Sequence, residues 1–123
     1  MIEKFGIGID IVDVTAFEEI PFYSKREFYK KIFLPSEIKY CLKYKNPYER
    51  FAGKFAIKEA VKKSISEDMN PLQILVSHSN SKPKVCLLGK NKNNYAFIAS
   101  ISHDKKLAVG VVISERVTNT KIR

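Results

Sequence analysis

Two carboxylates sit where a chain seldom puts one. Asp10 interrupts an apolar alternation, with Ile7, Ile9 and Ile11 on one side and Gly8, Asp10 and Val12 on the other. The alternation reads as a strand from Phe5 to Val12. Gly8 leaves the carboxylate's own side open. A buried unpaired carboxylate is costly, so Asp10 needs a salt bridge, a solvent-facing edge or a cation. Glu59 is the second. A helix from Pro47 to about Ile65 sets Phe51, Phe55 and Glu59 in one i, i+4 row, with Ala52, Ala56 and Ala60 beside it and Lys63 one turn on. A surface Glu–Lys pair at that spacing gives only about 0.3–0.5 kcal/mol, too little to explain an acid in such a row. Two hard carboxylates without a thiolate cluster suit Mg²⁺ or Mn²⁺ rather than zinc. Lys54, Lys58, Lys62 and Lys63 would then meet phosphate, and the chemistry would be that of a phosphate ester.

Other candidates carry weaker signals. His103 stands at the mouth of a predicted hairpin beside Asp104, a place that also suits a plain surface histidine. His78 has only a structural reading. Gly6-x-Gly8 lies within a strand and is followed by Ile11, so it is no nucleotide loop, and no Gly-x-x-x-x-Gly-Lys run occurs.

The elements that must position these residues follow from local signals. Thr15-x-x-Glu18 and Ser24-x-x-Glu27 read as capping boxes, and Asn46-Pro47 with Glu49 as a third helix start. Pro21 and Pro35 limit the first two helices, and Ile38, Cys41 and Leu42 suggest a further helix after Pro35. Leu72–Ser77 and Lys84–Leu88 flank a turn at Ser79–Pro83. Tyr95–Ser102 and Leu107–Ser114 flank His103–Lys106. Two such hairpins predict an antiparallel meander. One strand, then helices, then four strands is α+β. The length of 123 residues predicts one domain over 1–123, with a frayed tail at 118–123.

Charge is uneven. Residues 24–63 hold twelve Lys/Arg and four acids, +8 of a net +9, whereas residues 1–19 hold five acids and one lysine. Such a block attracts an acidic partner or remains a solvated surface. The longest apolar run, Leu107 to Ile113, is too short to span a bilayer. Cys41 and Cys86 are too few for a disulfide scaffold or a Cys-rich zinc site. The start is a poor signal peptide. A reduced, cytoplasmic protein is expected, without a membrane partner.

GIGIDIVDV (Gly6–Val14), RFAGKFAIKEAVKKS (Arg50–Ser64), SKPKV (Ser81–Val85) and ISHD…AVGVVIS (Ile101–Ser114) occur in the same order as in the holo-acyl-carrier-protein synthases, the small 4′-phosphopantetheinyl transferases. The chain resembles them over nearly its whole length. The resemblance implies transfer of phosphopantetheine from coenzyme A to a serine of an apo-acyl carrier protein in fatty acid biosynthesis. It implies release of adenosine 3′,5′-bisphosphate, and a homotrimer with sites at subunit interfaces. It assigns Mg²⁺ to Asp10 and Glu59, with Mn²⁺ possible on the same donors. Lys63 and Lys54 would contact coenzyme A, Glu59 would remove the serine proton, and His103 would orient substrate across an interface. Lys25, Arg26, Lys30 and Lys31 would dock the acidic carrier.

Three positions depart from the family. Ala16 replaces a usual Arg, Lys54 replaces another, and Ser66–Pro71 replaces a Gly-rich loop. A competing reading is a non-enzymatic RNA-binding module, with Phe28, Tyr29, Tyr40 and Tyr44 stacking on bases beside the 24–63 basic block. A third is an inactive trimer of the same fold. The transferase reading, which expects no nucleic-acid partner, accounts for Asp10 and Glu59, and the others do not.

Overall fold

A computed structural model describes residues 2–117 of the chain. The tail at 118–123 lies outside the described residues. The elements run β1 (Phe5–Asp13), α1 (Val14–Glu18), α2 (Arg26–Lys30), α3 (Pro35–Leu42), α4 (Pro47–Ser64), β2 (Ile74–Ser79), β3 (Lys82–Leu87), β4 (Tyr95–His103) and β5 (Leu107–Arg116). The architecture is α+β with antiparallel pairing, as expected.

The meander expectation fails in one respect. The two hairpins belong to different sheets, β2–β3 alone and β4–β5 in a three-stranded sheet of order β1-β5-β4. The first strand closes against the last, with Asp10 opposite Gly110. The β2–β3 turn is tight, carried by Asn80 and Ser81 at φ 52° and 66°. Two successive positive φ values are the type I′ geometry that matches strand twist.

Helix starts divide along similar lines. Asn46 caps α4 by accepting from Tyr48 N at 3.1 Å, with Pro47 in the first turn, as the sequence predicts. Neither predicted capping box forms. Asp13 caps α1, accepting from Thr15 N at 3.0 Å, and Thr15 spends its hydroxyl on the same carboxylate. Ser24 donates to the Pro21 carbonyl, so α2 starts without a side-chain cap.

Helix α4 is the central pillar, about 27 Å long by its rise per residue. The glycine face of β1, not the isoleucine face, packs on it. A Cβ at Gly8 would overlap the Ala60 carbonyl oxygen, one at Gly6 the Ser64 carbonyl oxygen, and one at Gly110 would stand 2.8 Å from the Ala56 carbonyl carbon. Helix backbone therefore rests directly on strand backbone. Gly8→Ala is expected to cost about 3 kcal/mol and lower the melting temperature by about 10 °C in a thermal melt.

On the opposite side of α4 lies a buried ion pair. Lys58 Nζ is 2.8 Å from Glu37 Oε1, with the two side chains 0% and 1% exposed. Lys58 also donates to the Pro71 and Ile74 carbonyls, while Glu37 accepts from Leu34 N and Val76 N. One pair thus ties α3, α4 and β2 together.

Candidate functional site

Asp10 projects from the helix-facing side of β1 and meets the last turn of α4. Lys63 Nζ lies 3.1 Å from Asp10 Oδ1 and donates to the Ile9 carbonyl at 2.9 Å. Glu59 is one helical turn before Lys63, and its Oε2 is 3.3 Å from Lys62 Nζ. The row containing Glu59 climbs out of the core. Phe51 is fully buried, Phe55 partly, and the Glu59 and Lys63 side chains are 27% and 55% exposed. Glu59 therefore stands at the rim of the apolar face, not inside it. Asp10, 18% exposed, is held by Lys63, the residue one helical turn beyond Glu59.

This donor set suits a hard divalent cation. An ammonium already sits against Asp10, so positive charge is accommodated there. No group of three or more His, Cys, Asp or Glu gathers among the described residues. Mg²⁺ needs only one or two protein carboxylates and fills its octahedron with water and phosphate, whereas structural zinc needs four protein ligands.

Lys54 and Lys58 do not join this rim, contrary to the expectation that they meet phosphate beside Glu59. Lys58 is spent on Glu37. Lys54 is buried, donates to the Val76 carbonyl at 2.7 Å and to His78 Nδ1 at 3.2 Å, and lies 4.3 Å from the centre of the Tyr40 ring. Burial pushes its pKa down to about 8. Sequence reading missed this because lysine at helical spacing resembles a solvated face. The available signal was Glu37, an acid just inside the first turn of the helix after Pro35.

His78 stacks on Tyr40 at 4.6 Å, nearly parallel. Accepting from an ammonium fixes its Nδ1 as unprotonated. Burial, then the Lys54 and Arg50 charges, hold its pKa down to about 4 against an ordinary 6.5. Its contribution to stability is full above about pH 6.5 and is lost as pH falls towards 4. Thermal melts of His78→Phe, which keeps a ring on Tyr40, should show a flatter decline across that window than wild type.

His103 stands apart from Asp10 and Glu59. Its Nδ1–H donates to Glu49 Oε1 at 2.9 Å. Glu49 lies ten residues before Glu59 on α4, about 15 Å along the axis. His103 shares a cavity of about 180 Å³ with Arg50, Gly53, Tyr40, Tyr44 and His78. The Arg50 guanidinium stacks 3.9 Å over the Tyr44 ring. Sequence reading did not single out Arg50.

In the 66–71 loop Asp68 is exposed and Glu67 is tied to the sheet. Tyr95 donates to Glu67 Oε1 at 2.5 Å and accepts from Arg116 at 2.8 Å, which draws the Glu67 pKa below the usual carboxylate range. Among the four expected docking cations, Arg26 lies over the Phe22 and Tyr23 rings and Lys30 pairs loosely with Glu27 at 3.6 Å. Lys25 and Lys31 are exposed. The RNA reading loses stacking groups. Tyr29 is fully buried, with its hydroxyl 2.7 Å from the Ile20 carbonyl, and Phe28 packs against the core. No helix among the described residues is long and apolar enough to cross a membrane.

Comparison with known proteins places these features in context. Residues 6–112 match the model of the 4′-phosphopantetheinyl transferase superfamily. A holo-[acyl-carrier-protein] synthase of Geobacter metallireducens is 33% identical, with 92% of this chain and 98% of the relative covered. The crystal structure of Helicobacter pylori holo-[acyl-carrier-protein] synthase in complex with coenzyme A is similar at TM-score 0.75 and 36% identity, covering 89% of this chain and 99% of that one. A Bacillus anthracis holo-(acyl-carrier-protein) synthase, also in complex with coenzyme A (3′,5′-ADP), gives TM-score 0.75 at 29% identity, covering 91% and 96%.

Proposed function

The chain belongs to the holo-acyl-carrier-protein synthases of the 4′-phosphopantetheinyl transferase superfamily and is an enzyme, and on that premise we propose that it moves 4′-phosphopantetheine from coenzyme A to a serine of an apo-acyl carrier protein. The observation that carries this reading is the crossing of β1 and α4, where Lys63 pairs with Asp10 and Glu59 lies one helical turn before Lys63 on the same row.

Asp10 and Glu59 would hold Mg²⁺, and Mn²⁺ suits the same donors. When bound, the cation neutralises charge on the pyrophosphate of coenzyme A. Lys63 adds an ammonium beside it. Glu59 takes the serine proton, directly or through a water. The serine oxygen bonds to the phosphorus that carries pantetheine. The pyrophosphate bridge breaks, and adenosine 3′,5′-bisphosphate leaves with the bridging oxygen. No covalent enzyme intermediate is needed; catalysis is positioning and charge stabilisation.

The working assembly is a homotrimer with sites between subunits. The outer face of the β1-β5-β4 sheet supports it, since Ile7, Ile9, Ile11 and Ile98 are each more than half exposed. A contiguous apolar face of this kind marks an interface. The separation of His103 from Glu59 supports it too: His103 and Arg50 of one copy would meet substrate held by Asp10 and Glu59 of another. Lys54 then serves coenzyme A from behind, by holding Tyr40 and His78 at the cavity wall. Ile9→Glu is expected to give monomers by light scattering and to abolish transfer. Lys25, Arg26, Lys30 and Lys31 supply positive charge for the acidic carrier. The cytoplasm, with fatty acid biosynthesis as the pathway, is the setting this reaction implies.

Chromatography tests the reaction directly. Adenosine 3′,5′-bisphosphate should form only when coenzyme A, Mg²⁺ and apo-carrier are all present. Its formation without carrier would point to hydrolysis instead.

A further inference from the structure

The His103 ring lies along one turn of α4. Glu49 and Gly53 are spaced i, i+4 on that helix, so they share a face. The Nδ1 edge of the ring meets Glu49, and Cδ2 would stand 3.9 Å from a Cβ at Gly53. Glu49 is in the first turn of α4, where an acid can serve the helix alone. Its oxygens are spent otherwise. Oε1 accepts from His103 Nδ1–H, and Oε2 accepts from the Asn46 side-chain amide at 3.3 Å. Asn46 is itself fixed as the cap of α4, so the carboxylate is braced from behind. Asp104, the acid beside His103 in sequence, is not the partner. Its Oδ1 accepts from Lys106 N and Leu107 N and so builds the β4–β5 turn.

A carboxylate only accepts, so the hydrogen in the Glu49 contact belongs to Nδ1. Nε2 is then the nitrogen left for substrate. It belongs to the ring edge beside Gly53, in the cavity that Arg50, Tyr40 and Tyr44 also line. A half-turn of the ring about Cβ–Cγ would exchange Nδ1 with Cδ2 and put a carbon where Nε2 stands. Gly53 offers no side chain to resist that turn, so the hydrogen bond to Glu49 decides the orientation. Resting on the transferase reading, we propose that Glu49 is a positioning residue that acts through His103. It fixes the tautomer and the plane of the ring, so that Nε2 faces the substrate cavity. Glu49 itself touches no substrate.

The test is a cycle of wild type, Glu49→Gln, His103→Ala and the double variant in the full-length protein. The amide of Glu49→Gln can accept from only one of the two donors that the carboxylate holds. This variant should lower kcat/KM for coenzyme A about tenfold, with KM for apo-carrier unchanged. In the His103→Ala background the same substitution should change nothing further. A role confined to the start of α4 would leave the two substitutions additive. Additive losses, or no loss from Glu49→Gln alone, would overturn the inference. Imidazole nitrogen shifts by NMR read the tautomer without turnover. Neutral His103 should carry its hydrogen on Nδ1 in wild type and move it in part to Nε2 in Glu49→Gln. An Nε2–H ring in wild type would also overturn the inference. If wild type transfers nothing, the cycle is read on coenzyme A affinity by titration. Coupling there would keep the role of Glu49 and sink the transferase, and additivity would sink both.

Discussion

Glu59→Gln is expected to lower kcat/KM for carrier modification by about 10³-fold, and Asp10→Asn by a similar factor. Both changes are nearly isosteric and both side chains stand at a partly exposed rim. Melting temperatures should therefore move little. Asp10→Asn also weakens the pair with Lys63, but an exposed pair of that kind gives at most about 1 kcal/mol. The double variant carries the sharper message. If both carboxylates act through one cation, Asp10→Asn adds little once Glu59→Gln has been made. Steady-state kinetics on the four proteins measures this. Losses that multiply would mean two independent roles and would break the shared-cation account.

Lys58→Met is expected to be the most destabilising single change at a charged position, by about 3–5 kcal/mol. The substitution keeps the stem and removes the ammonium. Glu37 is then left buried and charged, and the Pro71 and Ile74 carbonyls lose their donor. Burial lowers the Lys58 pKa, and Glu37 opposes that shift by Coulomb attraction and hydrogen bonding. Urea unfolding should show the midpoint falling with an unchanged slope. A loss below about 1 kcal/mol would mean that water reaches the pair and that it behaves as a surface bridge.

How much of this was legible in the sequence depends on how far apart the cooperating residues are. Strand β1 and helix α4 were readable because each carries its own local signal, alternation in one and Asn46-Pro47 in the other. The two carboxylates stood out because each interrupts an apolar pattern in the sequence, although Glu59 proves to stand at the rim of its helix's apolar face and not within it. The meander was wrong because hairpins are local, whereas the sheet a hairpin joins is decided by long-range pairing. The first hairpin stays a separate two-stranded sheet instead of pairing with β4, and β1 pairs along the other side of the second hairpin, on β5. The Thr15 and Ser24 capping boxes were wrong because nearby Asp13 and the Pro21 carbonyl compete for the same hydroxyls. Lys54 and Lys58 were misplaced because burial of a lysine depends on partners 13 to 24 residues away, which no helical period reveals. In hindsight Gly6, Gly8 and Gly110 carried a signal for the crossing, since glycine on one face of a strand permits a helix backbone to rest on it.

The most direct test of the central claim is the intact mass of apo-acyl carrier protein after incubation with this protein, coenzyme A and Mg²⁺. The account predicts a gain of one phosphopantetheine with wild type. At matched times the gain should vanish with Asp10→Asn, with Glu59→Gln and with excess chelator. An unmodified carrier in the presence of folded protein would contradict the transferase reading. A gain that survives both substitutions and the chelator would leave the transferase standing and contradict the role given to Asp10 and Glu59.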